Sequence, residues 1–128
     1  MVTRFWTSFI LMTALVAPGA ALAAGDVAAG QEKFQALCVS CHGPEGKGDG
    51  PTGKALAAAG QPAPRDFSKG DFKLDTDGDG EAGTDADLKN VISKGAMAYG
   101  GSAMMAPVPG LSDQELDNLV AFIRSLKE

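Results

Sequence analysis

Apolar residues recur at helical spacing near both ends of the chain, and each run follows a polar residue suited to cap a helix. Asp26 precedes the first run and Ser112 precedes the second. The apolar members are Val27, Phe34, Leu37 and Cys38 in the first run, and Leu116, Leu119, Val120, Ile123 and Leu126 in the second. The spacing predicts one helix over about 27–38 and another over about 112–127.

The middle of the chain contains a third helical pattern and a long loop. Thr84 begins a sequence that resembles a capping box, ahead of Leu88, Val91 and Ile92, and Gly95 ends the pattern. Residues 42–83 include 14 Gly or Pro and predict a loop with one short helix, over 52–59. So long a loop is uncommon in a small domain and would ordinarily count against this assignment, unless a cofactor supplies apolar surface for the loop to wrap.

The first residues have the pattern of a secretory signal peptide. Arg4 gives a short positive region, and an apolar run of eleven residues, 7–17, is followed by small residues up to Ala24. We expect cleavage after Ala23, which makes 1–23 a removed signal and 24–128 a single exported domain. An uncleaved membrane anchor is the alternative, but a spanning helix needs about 20 apolar residues.

Composition limits the classes of function. The chain has 128 residues, 45% of them hydrophobic, which fits one small globular domain. Its net charge is −5, and removal of 1–23 takes away Arg4, leaving ten basic and sixteen acidic side chains and a charge of −6. The acid excess argues against nucleic-acid binding, which requires clustered Lys and Arg.

The only cysteines and the only histidine stand together as Cys38-Val39-Ser40-Cys41-His42. In an exported chain this pair of thiols could form a disulfide, a redox-active dithiol or a covalent haem attachment. Two thiols three residues apart can each add to one vinyl group of a haem, and His42 would then donate a nitrogen to the iron. The chain has too few β-forming residues for the βαβ surroundings of a thioredoxin-like dithiol, so the motif favours haem attachment.

The sequence resembles the class I monohaem c-type cytochromes. Besides the Cys38–Gly43 motif, the resemblance covers 30–34, 64–73 and 111–126. It implies an all-α, cytochrome c-like fold in which the N- and C-terminal helices cross and Gly/Pro-rich loops wrap one covalent haem c. Gly30, Phe34 and Phe122 resemble the family's helix-crossing set, in which Gly allows close approach and aromatic rings fill the crossing.

The sixth ligand of the iron is left open by the motif itself. Because His42 is the only imidazole, a methionine, a water or an empty position remains. The family has its axial Met on a loop just before the last helix, followed by small residues and proline. That pattern favours Met105, with Met104 as the alternative and Met97 as a weaker one; a methionine that is not a ligand would pack against the porphyrin.

Ligation by His and Met implies an electron carrier rather than an enzyme, since both axial positions are filled. We therefore expect a monomeric periplasmic electron-transfer protein with no permanent membrane anchor. Its redox donors and acceptors would dock through basic patches on this acidic chain. The alternatives are a haem c subunit docked on a larger redox complex, a ligand sensor with an open sixth site, and a dithiol oxidoreductase without haem.

Two further groups of residues are candidates around the haem. Arg65 is either a partner of a haem propionate or a solvated surface side chain. The unligated nitrogen of His42 needs an acceptor that fixes the ring. The candidates for that backbone carbonyl are Pro44, Pro51, Pro62 and Pro64.

The segment 75–80 resembles the start of a calcium-binding loop. Asp75, Asp77 and Asp79 place oxygens at positions 1, 3 and 5, and Gly80 stands at position 6. Position 12 is Ala86 rather than Glu, so a neighbouring Asp85 or Asp87 would have to replace it. A solvated acidic turn is the alternative, and any bound calcium would brace the long loop.

Overall fold

The computed structural model describes residues 25–128. The predicted signal segment 1–23 and the cleavage site after Ala23 lie outside the described residues. The described part contains five α-helices and two 3-10 turns, with no β-strand among residues 25–128, so the predicted all-α architecture is confirmed. The helices are α1 (Val27–Leu37), α2 (Val39–His42), α3 (Pro51–Ala58), α4 (Asp85–Lys94) and α5 (Asp113–Ser125), and the 3-10 turns are Phe67–Lys69 and Ala96–Tyr99.

The helices begin where the sequence predicts because their caps are local. The Asp26 carboxylate accepts hydrogen bonds from the backbone N–H groups of Ala28 and Ala29 at 2.8 and 3.0 Å. Thr84 caps α4 and Ser112 caps α5, each in a complete capping box. The helix ends differ slightly: α1 ends at Leu37 and α5 at Ser125, and the predicted helix over 52–59 occupies Pro51–Ala58.

The crossing of α1 and α5 organises the molecule. A Cβ atom at Gly30 would lie 1.9 Å from the Asn118 carbonyl oxygen, so only glycine permits this approach of the two backbones. Phe34 is fully buried beside it, with its ring centroid 5.1 Å from that of Phe122. The predicted roles of Gly30, Phe34 and Phe122 at the crossing are therefore confirmed.

The buried apolar side chains form one continuous core. It joins the inner faces of α1, α4 and α5 to Phe67 of the long loop. Its other members are Phe34, Leu88, Ile92, Leu116, Leu119, Val120, Phe122 and Ile123. No helix within residues 25–128 combines the length and apolar character needed to cross a bilayer.

The long loop is fastened to this core at both ends. Phe67 donates its backbone N–H to the Gly46 carbonyl at 2.7 Å. Near the other end, the Arg124 guanidinium of α5 donates to the Gly83 carbonyl and the Asp85 carboxylate at 2.6 and 2.9 Å, and lies over the ring of Phe72. The loop therefore has a fixed course around a large opening.

Candidate cofactor site

A cavity of about 980 Å³ opens between the long loop, α4 and the segment before α5. Its volume lies at the upper end of the range for small-molecule and cofactor sites. The lining is mostly apolar, and the residues of the candidate motif are part of it. The predicted site residues that line it are Cys38, Cys41, His42, Arg65, Met104 and Met105.

One short helical turn delivers the motif to this cavity. Cys38 caps the end of α1, where its N–H donates to the Phe34 carbonyl, and α2 then begins at Val39. The His42 N–H donates to the Cys38 carbonyl at 2.9 Å, which completes an i to i+4 turn. Residues three and four apart share a helix face, so Cys41 and His42 lie on the same side of the turn as Cys38. The sequence missed α2 because four residues carry no periodicity.

The two thiols are free, and the surroundings of Cys38 do not suit a reactive thiol. Burial, with a contribution from the neighbouring Cys41, raises the pKa of the Cys38 thiol to about 11. Reactive cysteines in such motifs have lowered pKa values, because the thiolate is the nucleophile. At neutral pH Cys38 is therefore a protonated thiol, which disfavours the dithiol oxidoreductase alternative.

His42 is buried, and its ring is held by one segment of the long loop. Burial lowers its pKa, so the imidazole is neutral and can act as a ligand. Its Nδ1 lies 3.4 Å from the Arg65 carbonyl oxygen, and its ring stacks on that of Phe67. A neutral ring that donates from Nδ1 has its lone pair on Nε2.

The carbonyl that accepts the hydrogen bond from His42 Nδ1 differs from those predicted from the sequence. We expected the carbonyl of a proline, and the structure gives that of Arg65, the residue after the fourth candidate. The physical reason is the turn that follows: Asp66 caps Phe67–Lys69, and Phe67 is tied to Gly46. This course of the chain brings the Arg65 peptide, and none of its proline neighbours, to the imidazole edge. The candidates that are not the acceptor are Pro44, Pro51, Pro62 and Pro64.

Arg65 is part of the cavity lining, and the predicted role of its side chain stays a prediction. Among residues 25–128 no carboxylate lies within ion-pair distance of its guanidinium. The other three cations of the lining are paired: Lys47 with Glu128 at 3.1 Å, Lys69 with Asp66 at 3.4 Å, and Lys73 with Asp71 at 2.8 Å. Arg65 is thus the lining cation with its donors available.

The three candidate methionines have different environments. Met104 and Met105 both line the cavity, whereas Met97 is outside the lining and 70% exposed. Met105 is half-buried, and its carbonyl accepts a hydrogen bond from the Ala96 N–H at 3.0 Å. Met104 is 45% exposed. The structure therefore brings two adjacent methionines to the cavity wall.

The acidic segment groups differently from the predicted calcium loop. Carboxylate oxygens of Asp75, Asp77 and Asp87 lie within 4.8 Å of one another, whereas Asp79 accepts from the Glu81 N–H at 2.8 Å. Both Asp75 oxygens accept backbone N–H groups of the same turn, and both Asp87 oxygens accept from threonines. These hydrogen bonds are those expected of a stable acidic turn.

The residues present fit the haem c that the motif implies. Two cysteines, one histidine with a neutral imidazole, and two methionines line a single, mostly apolar cavity. Soft thioether and imidazole donors are ligands that haem iron accepts in proteins. The sequence did not identify Phe67 as part of this site; the stretch 64–73 that carries the resemblance contains it, but no local pattern shows that it contacts His42.

Comparisons with known proteins indicate the family of this chain. A family model described as cytochrome c matches residues 27–127. Cytochrome c-554(547) of Halothiobacillus neapolitanus is 37% identical over 105 residues, which cover 81% of this chain and all of that protein. A chain of the reducing HAO-like protein complex of Kuenenia stuttgartiensis has a similar structure, with a TM-score of 0.63 and 28% identity. That match covers 82% of this chain and 44% of the solved chain, so it spans less than half of that chain.

Proposed function

This chain belongs to the cytochrome c family, and we propose that it is an electron carrier with one covalently bound haem c. Cys38 and Cys41 would form the two thioether links, and His42 and Met105 would be the axial ligands. The observation that carries the proposal is that these four residues line one cavity of about 980 Å³. When bound, the haem supplies a one-electron iron couple.

The protein groups determine what such a site does. The neutral imidazole of His42 offers Nε2 as a ligand because Nδ1 faces the Arg65 carbonyl. As a ligand, the Met105 thioether would favour the reduced iron and so raise the potential. With His42 and Met105 both bound to the iron, exogenous ligands would bind slowly, and the mostly apolar lining would limit the access of water. This arrangement suits electron transfer and disfavours the ligand-sensor alternative.

The test begins with the purified exported protein. The pyridine haemochrome spectrum should be that of a c-type haem at one haem per chain, and the absorption spectrum should be low-spin. A weak near-infrared band should report the bond from sulfur to ferric iron. A protein without haem, or one whose ferrous form binds carbon monoxide without delay, would contradict the proposal.

The choice between the two methionines has its own matched pair of variants. Met105→Ala should abolish the near-infrared band and speed carbon monoxide binding, because the sixth position opens. Met104→Ala should keep the band, since Met104 would only pack against the macrocycle. The reverse result would assign the ligand to Met104.

Arg65 is proposed as a partner of a haem propionate. Arg65 lines the cavity, its guanidinium has no ion-pair partner among the described residues, and a fork of donors suits a carboxylate. Arg65→Ala should change the reduction potential, whereas Arg65→Lys should partly restore it. An unchanged potential in both variants would assign Arg65 to the solvated surface.

A second candidate function is that of a haem c subunit held in a larger redox complex. The observation that favours it is the similarity to a chain of the reducing HAO-like complex. Light scattering on the native protein, purified from its own source under gentle conditions, separates the two functions. A mass near that of one chain supports a free monomeric carrier, and a larger stable assembly supports the subunit.

We further propose an exported, periplasmic protein whose single domain begins at Ala24. The support is the signal-like pattern of 1–23. Fractionation after expression in a bacterium, followed by N-terminal sequencing, should give a periplasmic chain that starts at Ala24. A membrane-bound chain that retains 1–23 would favour the anchor alternative.

The proposed partners are redox proteins that present basic patches. The support is the charge of −6 expected for residues 24–128, to which two haem propionates add. Association with a basic redox protein should slow as ionic strength rises. Rates that do not vary with ionic strength would contradict this proposal.

Calcium at the acidic turn of Asp75, Asp77 and Asp79 stays a prediction. Isothermal titration of calcium into the holoprotein is its test. Heat of binding together with a raised melting temperature would support a bound ion. The absence of both would assign the segment to an acidic turn.

A further inference from the structure

Two groups from one segment of the long loop contact the His42 imidazole. The ring of Phe67 lies nearly face to face with it, with centroids 4.5 Å apart and planes inclined by 20°. The Arg65 carbonyl oxygen lies 3.4 Å from Nδ1, at the edge of the ring. The segment 65–69 therefore contacts the imidazole on a face and on an edge.

We infer that Phe67 is a positioning residue for His42 and that its ring fixes the plane of the imidazole. The inference rests on the proposed function, which makes this imidazole a ligand of the haem iron. Histidine does not fix its own ring plane, because the terminal torsion of its side chain is broad. The hydrogen bond at Nδ1 is long, at 3.4 Å, so it restrains the torsion about Cβ–Cγ only weakly. Contact over the ring face adds a second restraint on that torsion.

Phe67 can do this because it is itself held on several sides. Its backbone N–H donates to the Gly46 carbonyl at 2.7 Å, and its ring packs edge-on against Phe34, with centroids 6.2 Å apart. The Asp66 carboxylate caps the turn by accepting from the Ser68 N–H and hydroxyl at 3.0 and 2.6 Å. The side chain is only 9% exposed.

The far end of the chain also braces this turn. The Ser68 carbonyl accepts a hydrogen bond from the backbone N–H of Glu128 at 3.0 Å. The Glu128 carboxylate pairs with Lys47 at 3.1 Å, and Lys47 lies next to Gly46. Hydrogen bonds and an ion pair between residues that are distant in sequence therefore support Phe67 from several sides. Support of this kind holds a side chain in one position.

The orientation of a ligating imidazole is a property that its neighbours tune. It governs the spread of g values in the electron paramagnetic resonance spectrum of low-spin ferric iron. A fixed plane gives one sharp set of g values, and a plane free to rotate gives a shifted and broadened set. This signal is sensitive to the ring plane and does not depend on electron-transfer activity.

The experiment compares four oxidised holoproteins by this spectrum and by reduction potential. Phe67→Leu removes the ring and keeps an apolar side chain, and it should shift and broaden the highest g value and change the potential. Phe67→Tyr keeps the ring face and should retain the wild-type signal. Phe122→Leu alters a buried ring that does not contact His42 and should also retain it.

Three results would overturn the inference. One is a wild-type signal from Phe67→Leu, and another is an equal change in Phe67→Tyr. The third is the same broadening in Phe122→Leu, because a general loosening of the core would then explain it. If Phe67→Leu does not fold, Asp66→Ala loosens the same turn from outside the core and should broaden the signal; an unchanged signal there would also overturn the inference.

Failure of the proposed function gives a different result. In that case the wild-type protein yields no haemochrome spectrum or no low-spin signal. A wild-type protein with a low-spin c-type haem whose g values do not respond to Phe67→Leu supports the function and contradicts the positioning role.

Discussion

The two walls of the cavity that bear candidate iron ligands are built differently. His42 is buried at the end of a helical turn, beside a stack of aromatic rings that continues into the crossing of α1 and α5. Met104 and Met105 lie on a loop between Tyr99 and α5, and Met104 is 45% exposed. The wall that carries His42, the histidine wall, is part of the protein core. The wall that carries Met104 and Met105, the methionine wall, is a loop attached to that core.

The methionine wall is attached by a few backbone hydrogen bonds and by the partly buried side chains of Val108 and Leu111, which pack against the core. The Met105 carbonyl accepts from Ala96, and the Val108 N–H donates to the Ile92 carbonyl, at 3.0 and 2.9 Å. Met97 on the adjoining 3-10 turn is 70% exposed. Because a segment with few buried apolar contacts opens at low free energy, we expect the methionine wall to open while the histidine wall stays folded.

The largest expected effect tests whether the core lies on the histidine side. Phe34→Ala deletes a fully buried ring between α1 and α5 and should lower the free energy of unfolding by about 3–5 kcal/mol. Met97→Ala is the matched control on the methionine side and should change it by less than about 0.5 kcal/mol. Chemical denaturation of both holoproteins measures the difference. Equal losses would show that the two walls share one core.

A contrast between local and long-range contacts explains which features of the structure the sequence could predict. Helix starts are encoded by caps within four residues, so Asp26, Thr84 and Ser112 were identified from sequence. Gly30 and Phe34 were identified as well, because the resemblance supplies the helix crossing. The helix caps are local sequence patterns, and the helix crossing is a feature that the family members share.

The remaining features depend on contacts between distant parts of the chain. Phe67 meets His42 across 25 residues of loop, and the Arg65 carbonyl replaced the predicted proline for the same reason. The methionine wall is a different case. Met104 and Met105 are adjacent and both line the cavity, so the register of the ligand depends on the loop backbone and not on residue type.

The second prediction concerns opening rates. The backbone N–H groups of Ala96, Met105 and Val108 should exchange with deuterium faster than those of Cys38 and His42, because only the latter pair lies beside the aromatic stack. Native-state exchange on the holoprotein, followed by mass spectrometry of peptides, measures this. Equal protection of the two sets would remove the distinction between a core wall and an attached wall.

The third prediction uses the acidic network that ties the long loop to α4, the helix that leads to the methionine wall. Asp87 is buried, and the hydrogen bonds from Thr76, followed by those from Thr84, hold the pKa of its carboxyl well below the ordinary value of 3.8. The native state thus binds fewer protons than the unfolded chain. The stability that Asp87 contributes is fully present above about pH 4 and is lost as the pH falls toward the native pKa.

Asp87→Asn should therefore flatten the loss of stability below pH 4, and it should be less stable than wild type at pH 7, since an amide cannot accept all four hydrogen bonds. Thr76→Val removes one donor and should give an intermediate slope. Melting temperature against pH is the measurement. An unchanged acid slope in Asp87→Asn would contradict this role for the carboxylate.

The smallest expected effect is on the histidine side, at the surface of the helix crossing. Lys33 of α1 and Glu115 of α5 form an ion pair at 2.6 Å, and this contact, followed by hydrogen bonds from Ser112, lowers the pKa of Glu115 to about 2. Both side chains are 35% exposed, so water and salt screen the pair.

Lys33→Ala should lower the melting temperature slightly at low ionic strength, and the loss should vanish in about 1 M salt. Lys73→Ala is the control, because its partner Asp71 lies two residues away in the same loop and joins no two elements. A salt-independent loss in Lys33→Ala would mean that the lysine stem packs in the crossing, and the core on the histidine side would then extend to the surface.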